Sequence, residues 1–388
     1  MNAVQKKLLK TRKLRAQNMD YSILFLVLFL VGFGLVILYS TSSYKGSLYY
    51  NDTAYWVKKQ AFFAVAGIIV MLSIAKLDYH IWKKKSWFAW FYYGLTACLL
   101  LITLVLGAAS HGAKRWIPLG PIRFQPSEFA KITLILFLAA FINSKTKEMR
   151  TVMGVFVPFV LSIPLIGMVG VENLSTCVIM LVICVVMIFV STPLKKPFFA
   201  LMGIGVAGAL VLIKTQGYRM TRIIVWRNPA AYEEGNQTMQ GLYAIGSGGL
   251  FGKGLGQSMQ KLGFLPEANN DMIFSVICEE LGLFGALCVL ALFFALLWRF
   301  MVVAINAADL YGSMIVVGVM AHLGIQVFFN VAVATNTIPN TGIPLPFISY
   351  GGSSLFFLLI EMGLVLSVSR YMPIDKYGAG DERWKKES

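Results

Sequence analysis

The chain has 388 residues, 57% of them hydrophobic and 13% charged, against roughly 45–50% and 25% in average globular proteins. A water-soluble fold has no means of covering that much apolar surface, and the mean hydropathy of +0.71 predicts an all-α, polytopic membrane protein. The net charge of +16, from 34 Lys+Arg against 18 Asp+Glu, then reads as cytoplasmic anchoring of loops, with no nucleic-acid partner expected.

In chain order, a basic segment at 6–15 leads into an apolar run beginning at Tyr21. That run is too long for a signal-peptide core and has no small-residue cleavage site, so it is expected to be the first span. About ten stretches are long enough to cross the bilayer, near 21–42, 57–77, 86–107, 128–143, 153–171, 174–192, 197–215, 271–299, 313–336 and 352–371. The expected organisation is a basic segment at 1–20, a membrane domain at 21–372 and a tail at 373–388. The five cysteines (Cys98, Cys177, Cys184, Cys278, Cys288) all fall in apolar runs and are expected to pack as small hydrophobes.

Most Lys and Arg collect in the N-terminal segment, the tail and alternate short connections, which puts both termini in the cytoplasm. Three polar stretches, 108–127, 216–270 and 337–351, then share the outer face. The middle one, a large extracellular loop of roughly 55 residues between helices 7 and 8, is far longer than loops without a function usually are.

Outer loops should be poor in basic residues, yet Lys114 and Arg115 flank Trp116, while Arg219, Arg222 and Arg227 cluster in YRMTRIIVWRNP, followed by Lys253 and Lys261. Two readings stand: a site for a phosphate or diphosphate head group, or ordinary contact with lipid phosphates. The glycine-rich run at 246–256 lacks the Ser/Thr after Gly-Lys that a P-loop needs. It is either an anion-binding concavity of backbone N–H groups or a re-entrant turn packed on neighbouring helices. Asp271, opening a long apolar helix, is either a first-turn acid with Asn269 or Asn270 as cap, or a general base at the membrane boundary. Within the spans, His322, Gln326 and Asn330 share a helix face suited to interhelical hydrogen bonds, and Glu279, Glu280 and Glu361 are candidates for a proton or substrate path. No His/Cys cluster has metal-ligand spacing.

Several strings carry a resemblance. AKRWIPLGPIRFQPSEFAK, YRMTRIIVWRNP, AIGSGGLFGKGLGQSMQKLGFLPEANNDMIFSVICEELGLFG and NTIPNTGIPLPFISYGGSSL resemble the SEDS proteins (shape, elongation, division and sporulation; the FtsW/RodA type) over nearly the whole chain. The run 350–354 is closer to the division type. The resemblance implies a peptidoglycan glycosyltransferase of the bacterial cytoplasmic membrane that polymerises lipid II on the outer face. It implies Asp271 as the catalytic acid following Leu265-Pro266-Glu267, the role being proton abstraction from the acceptor 4-hydroxyl with polyprenyl diphosphate leaving. Lys114, Arg115, Arg219, Arg222 and Lys253 are the expected cations for that leaving group. Trp116, Gln125, Ser127, Glu128, Gln240, Glu267, Ser349, Tyr350 and Ser353 complete the expected substrate-binding set. A divalent cation (Mg2+ or Mn2+) is an expected supplement without a defined ligand set. A class B penicillin-binding transpeptidase, other division or cell-wall proteins and membrane lipids are the implied partners. Two departures are Asn269-Asn270 where the family usually has His-Thr, and Val171-Glu172-Asn173-Leu174-Ser175 where Gln-Pro-Asp-Leu-Gly is common. The rival reading is a lipid II flippase or lipid-linked sugar transporter. A non-catalytic scaffold is a third.

Overall fold

The computed structural model describes residues 19–83, 86–110, 113–119, 122–194, 196–200, 202–203 and 217–372. Among these, nine helices are long and apolar enough to cross a membrane. They are α1 (Tyr21–Tyr50), α2 (Tyr55–Lys76), α3 (Ser86–Leu106), α4 (Pro126–Ser144), α5 (Val152–Glu172), α6 (Leu174–Ser191), α9 (Ile273–Asn306), α10 (Leu310–Ala334) and α11 (Gly352–Ser369). They coincide with nine of the ten expected spans. The span expected at 197–215 lies largely outside the described residues, as do the basic segment at 6–15 and the tail.

Local chemistry fixes where helices start. The Asp20 carboxylate accepts from the Ser22 and Ile23 amides at the head of α1, Asn173 does so for Ser175 ahead of α6, and Asp309 for Gly312 ahead of α10. Asn173 thus gives the departure at 171–175 a capping function. The apolar windows of α11 and α4 are 78% and 72% buried, those of α2 and α3 only 22%, so the first two form the centre of the bundle and the latter two face lipid. A side chain at Gly363 would meet the Met71 carbonyl at 2.8 Å, so its absence lets α11 lie against α2. All five cysteines are free.

The outer stretches are structured. Residues 108–124 form a three-stranded antiparallel sheet, β1 (Ala108–Ser110), β2 (Ala113–Leu119) and β3 (Ile122–Phe124). The expected long loop contains α7 (Gly217–Arg227) and α8 (Asn236–Gly248). α8 packs on the start of α9, and a Cβ at Gly248 would collide with the Cys278 carbonyl.

The glycine-rich run is the re-entrant turn of the two readings given above. α9 is broken at Gly282 (φ 69°, ψ −171°), which frees backbone groups that hydrocarbon cannot satisfy. The turn supplies their partners. The Lys253 and Gly254 amides donate to the Glu279 and Glu280 carbonyls (3.0 and 2.9 Å), and the Leu283 and Phe284 amides donate to the Gly249 and Leu250 carbonyls (2.9 and 3.0 Å).

The carboxylates at this break are internally neutralised. Lys253 Nζ lies 2.7 Å from Glu279 Oε1 and Lys261 Nζ 2.8 Å from Glu280 Oε1. Ser258 Oγ, the Met259 amide and the Gln260 amide donate to Glu279, and Ser40 Oγ donates to Glu280. The amides beyond the glycine-rich turn do bind an anion, and it belongs to the protein. Glu361 is likewise paired, with His322 Nδ1 at 2.7 Å. The three glutamates read from sequence as a possible path are therefore held in fixed pairs.

Candidate active site

Asp271 sits just ahead of α9 and is 5% exposed. Neither Asn269 nor Asn270 caps that helix, as the sequence had suggested. The residue in the cap position is Met272, which makes no side-chain cap bond. Asn270 Nδ2 instead donates to Glu267 Oε2, and its carbonyl accepts from Ser349 Oγ (2.6 Å). Beneath Asp271 lies a small apolar cluster of Leu265, Ala268, Met272, Val276 and Val333.

Burial in these surroundings, reinforced by the Glu267 carboxylate, pushes the Asp271 carboxyl up to about 7, against hydrogen bonds from backbone amides and Gln237. Gln237 Nε2, on α8, reaches both carboxylate oxygens (3.2 and 3.4 Å). Its Oε1 accepts from Asn340 Nδ2 (3.0 Å), and the Asn340 carbonyl accepts from Arg222 Nη1 (3.0 Å). Among the described side chains a neutral amide, rather than a cation, therefore stands against the carboxylate, and Arg222 is two residues removed along that chain of contacts.

Segment 336–351 closes over this acid and is tied down from several helices. Trp226 Nε1 donates to the Asn336 carbonyl, Ser175 Oγ to the Thr341 carbonyl and Gln326 Nε2 to the Pro344 carbonyl. Asn330 Nδ2 bridges the Asp271 and Ile343 carbonyls (2.8 and 2.9 Å), fixing acid and segment to each other. Gly342, at φ 67°, is where the segment passes the carboxylate. A Cβ there would stand 3.9 Å from Asp271 Oδ2, so glycine leaves that oxygen uncovered by a side chain.

The expected site residues divide into groups. Arg222 is exposed and connected to Asp271 through Asn340 and Gln237. The backbones of Lys114, Arg115 and Trp116 lie on β2 and that of Arg219 on α7; the side chains of Lys114, Arg115 and Arg219 lie outside the described residues. Gln125 donates to Ser127 at the head of α4, and Glu128 pairs with Lys131 (3.0 Å), all of the last three being buried. Gln240 is on α8 and lines an open cavity of about 580 Å³ with Tyr232, Glu233 and Asn236; Asp271 is not among its lining residues. Glu267 is exposed at φ 52°. Ser349 is buried and structural, accepting from the Leu345 amide as well as donating to Asn270. The Tyr350 amide donates to the Asn269 carbonyl. Ser353 is buried in the first turn of α11. Lys253 belongs to the Glu279 pair described above and not to the contacts of Asp271.

Sequence reasoning missed Gln237, Asn340 and Gly342, which carried no local signal. Lys131 was legible: a lysine inside an apolar run, three residues after Glu128, calls for a partner. Among the described residues no group of three or more His, Cys, Asp or Glu stands together to hold a metal.

Chemically, the site offers a buried carboxyl poised to exchange a proton near neutral pH, at one end of a membrane helix and connected through Gln237 and Asn340 to Arg222 of the basic α7.

Comparison with known proteins gives the family of the chain. Residues 21–373 match the family model FTSW_RODA_SPOVE, described as cell cycle protein. Stage V sporulation protein E of Bacillus subtilis (strain 168) is 41% identical over 363 residues, covering 91% of this chain and 97% of the relative. A probable peptidoglycan glycosyltransferase FtsW of Geobacter sp. (strain M18) is 35% identical over 365 residues, covering 92% and 98%. Among solved structures, a chain from work described as structural coordination of polymerization and crosslinking by a peptidoglycan synthase complex superposes with TM-score 0.75 at 28% identity, covering 93% of this chain and 99% of that one. The rod shape determining protein RodA of Thermus thermophilus gives TM-score 0.67 at 28% identity, covering 92% and 98%. With a family model spanning nearly its whole length, this multi-pass membrane protein belongs to the FtsW/RodA/SpoVE family.

Proposed function

We propose that this chain is a peptidoglycan glycosyltransferase that polymerises lipid II at the outer face of the bacterial cytoplasmic membrane, with Asp271 as general base. Asp271 takes the proton from the acceptor GlcNAc 4-hydroxyl as that oxygen bonds to C1 of the donor MurNAc. The C1–phosphate bond breaks and polyprenyl diphosphate departs. Negative charge grows on the diphosphate, so cations are required where it leaves. Arg222 fits best, being exposed and coupled to the base through Asn340 and Gln237. Arg219, Lys114 and Arg115 are assigned to the same task by position in α7 and β2.

The observation that carries this reading is a carboxyl held near neutrality by burial, with the neutral Gln237 amide as its side-chain partner among the described residues. A base needs a pKa close to the working pH, and general-base catalysis at such a group contributes typically ~10²–10⁴-fold. Both termini are assigned to the cytoplasm by the basic connections, and a class B penicillin-binding transpeptidase is the proposed partner. The described residues do not make a resident divalent site. Mg2+ or Mn2+, if it takes part, would come with the diphosphate substrate and add positive charge where the leaving group departs.

The test is polymerisation of labelled lipid II by purified protein. Asp271→Asn keeps the shape and an acceptor for Gln237, and is expected to abolish polymer at unchanged yield of folded protein; undiminished polymer would remove the base assignment. The transporter reading loses its main motive, because Glu279, Glu280 and Glu361 are each committed to a partner.

A further inference from the structure

Four aromatic rings gather at the outer ends of α1, α2 and α11, and of these only Tyr350 belongs to the expected substrate-binding set. Tyr50 and Tyr55 stack at 3.7 Å and 9° across the turn between α1 and α2. Trp56 stands edge-on to both (5.7 and 5.3 Å) and to Tyr350 (4.8 Å). Tyr350 continues directly to the active site, its amide bonded to the Asn269 carbonyl (2.9 Å), two residues before Asp271. Rings that meet lipid in this protein, such as Phe62, project from the sides of the helices and are 62% exposed. These four instead form a wall, locked ring against ring, with the half-exposed Tyr50 at its open end, the Lys59 ammonium over the Tyr55 ring at 4.3 Å from its centre, and Trp56 Nε1 buried without a hydrogen-bond partner.

We infer that this wall is a binding subsite for the β-1,4-linked amino-sugar strand, holding the glycan already made next to the base that extends it. The inference rests on the glycosyltransferase reading of Asp271. The flat face of such a sugar is a sheet of C–H bonds, weakly positive and apolar, and it complements the negative face of an aromatic ring. Because the rings are packed on each other, little side-chain freedom is lost on binding. A strand running from Asp271 past Tyr350 to Tyr55 would stay on the outer surface while its lipid remains in the bilayer.

The probe is a peptide-free, lipid-free hexasaccharide of alternating GlcNAc and MurNAc, titrated into the detergent-solubilised full chain and followed by saturation-transfer NMR. Saturable binding is expected for the wild type and for Asp271→Asn, with at least a fivefold weaker Kd for Tyr55→Ala and for Trp56→Leu. Tyr55→Phe, which keeps the ring, should bind as the wild type does. Should Tyr55→Ala or Trp56→Leu not fold, Tyr50→Leu at the open end carries the same expectation. Absence of saturable binding to the wild type, or equal affinity in Tyr55→Ala and wild type, overturns the subsite. Failure of the base assignment would show separately, as polymerisation surviving in Asp271→Asn.

Discussion

Two buried acids, Asp271 and Glu279, stand roughly two helical turns apart at the start of one long element, and their surroundings are opposite. Glu279 receives a lysine, a serine hydroxyl and backbone amides, and Glu280 beside it receives Lys261 and Ser40. Asp271 receives the amide of Gln237 and an apolar floor. The first arrangement keeps charge in place and closes a broken helix. The second leaves a carboxyl undecided between its two protonation states, which is what proton transfer requires. The acid count of a membrane protein therefore says little until each partner is known.

The comparison breaks most visibly if the Glu280 pair is cut. Glu280→Leu strands the Lys261 ammonium in the interior and is expected to cost about 3–5 kcal/mol, read as a fall in melting temperature in detergent. Combining it with Lys261→Met should restore most of the loss. Equal destabilisation by the single and double variants would mean the pair does not act as a unit.

Asp271→Asn should behave in the contrary way. The folded carboxyl, at about 7, lies above the ordinary value of 3.8, so the unfolded chain releases its proton first as pH rises. Stability is then lost between about pH 4 and 7. The Asn variant escapes that loss and should melt higher than wild type at pH 8, by on the order of a few kcal/mol at most, with the advantage vanishing near pH 4. A variant that melts lower at pH 8 would show the carboxylate to be stabilising, like Glu279.

Lys253 gives the smallest effect and the sharpest distinction. Its ammonium is partly exposed, so Lys253→Ala should cost about 1 kcal/mol of stability or less and lower lipid II turnover less than threefold. A hundredfold loss of turnover would return Lys253 to the leaving-group cations that its sequence position first suggested.

Much of the architecture was legible because bilayer thickness converts hydropathy directly into spans. Arg222 was legible as a basic residue placed against the topological bias, and Asp271 as an acid opening a long apolar helix. The break in α9 was not, since Gly282 sits inside a stretch of spanning length and its conformation depends on a turn some thirty residues earlier. The partners of Asp271 were invisible for a similar reason. Gln237 and Asn340 come from separate outer segments and meet only when 336–351 folds over the acid. Asn269 and Asn270 looked like caps because their type favours that role, but the backbone there is spent on Tyr350 and Ser349.

The central claim is that Asp271 works as a base because burial, with a neutral amide as its side-chain partner, sets its proton affinity. The most direct measurement is the pH dependence of kcat/KM for lipid II polymerisation between pH 5 and 9, in wild type and in Gln237→Leu. A single rise with its midpoint near 7 is expected in the wild type, and a displacement of that midpoint to higher pH once the hydrogen bond from Gln237 is gone. A rate that is flat from pH 5 upward in both proteins would contradict the account.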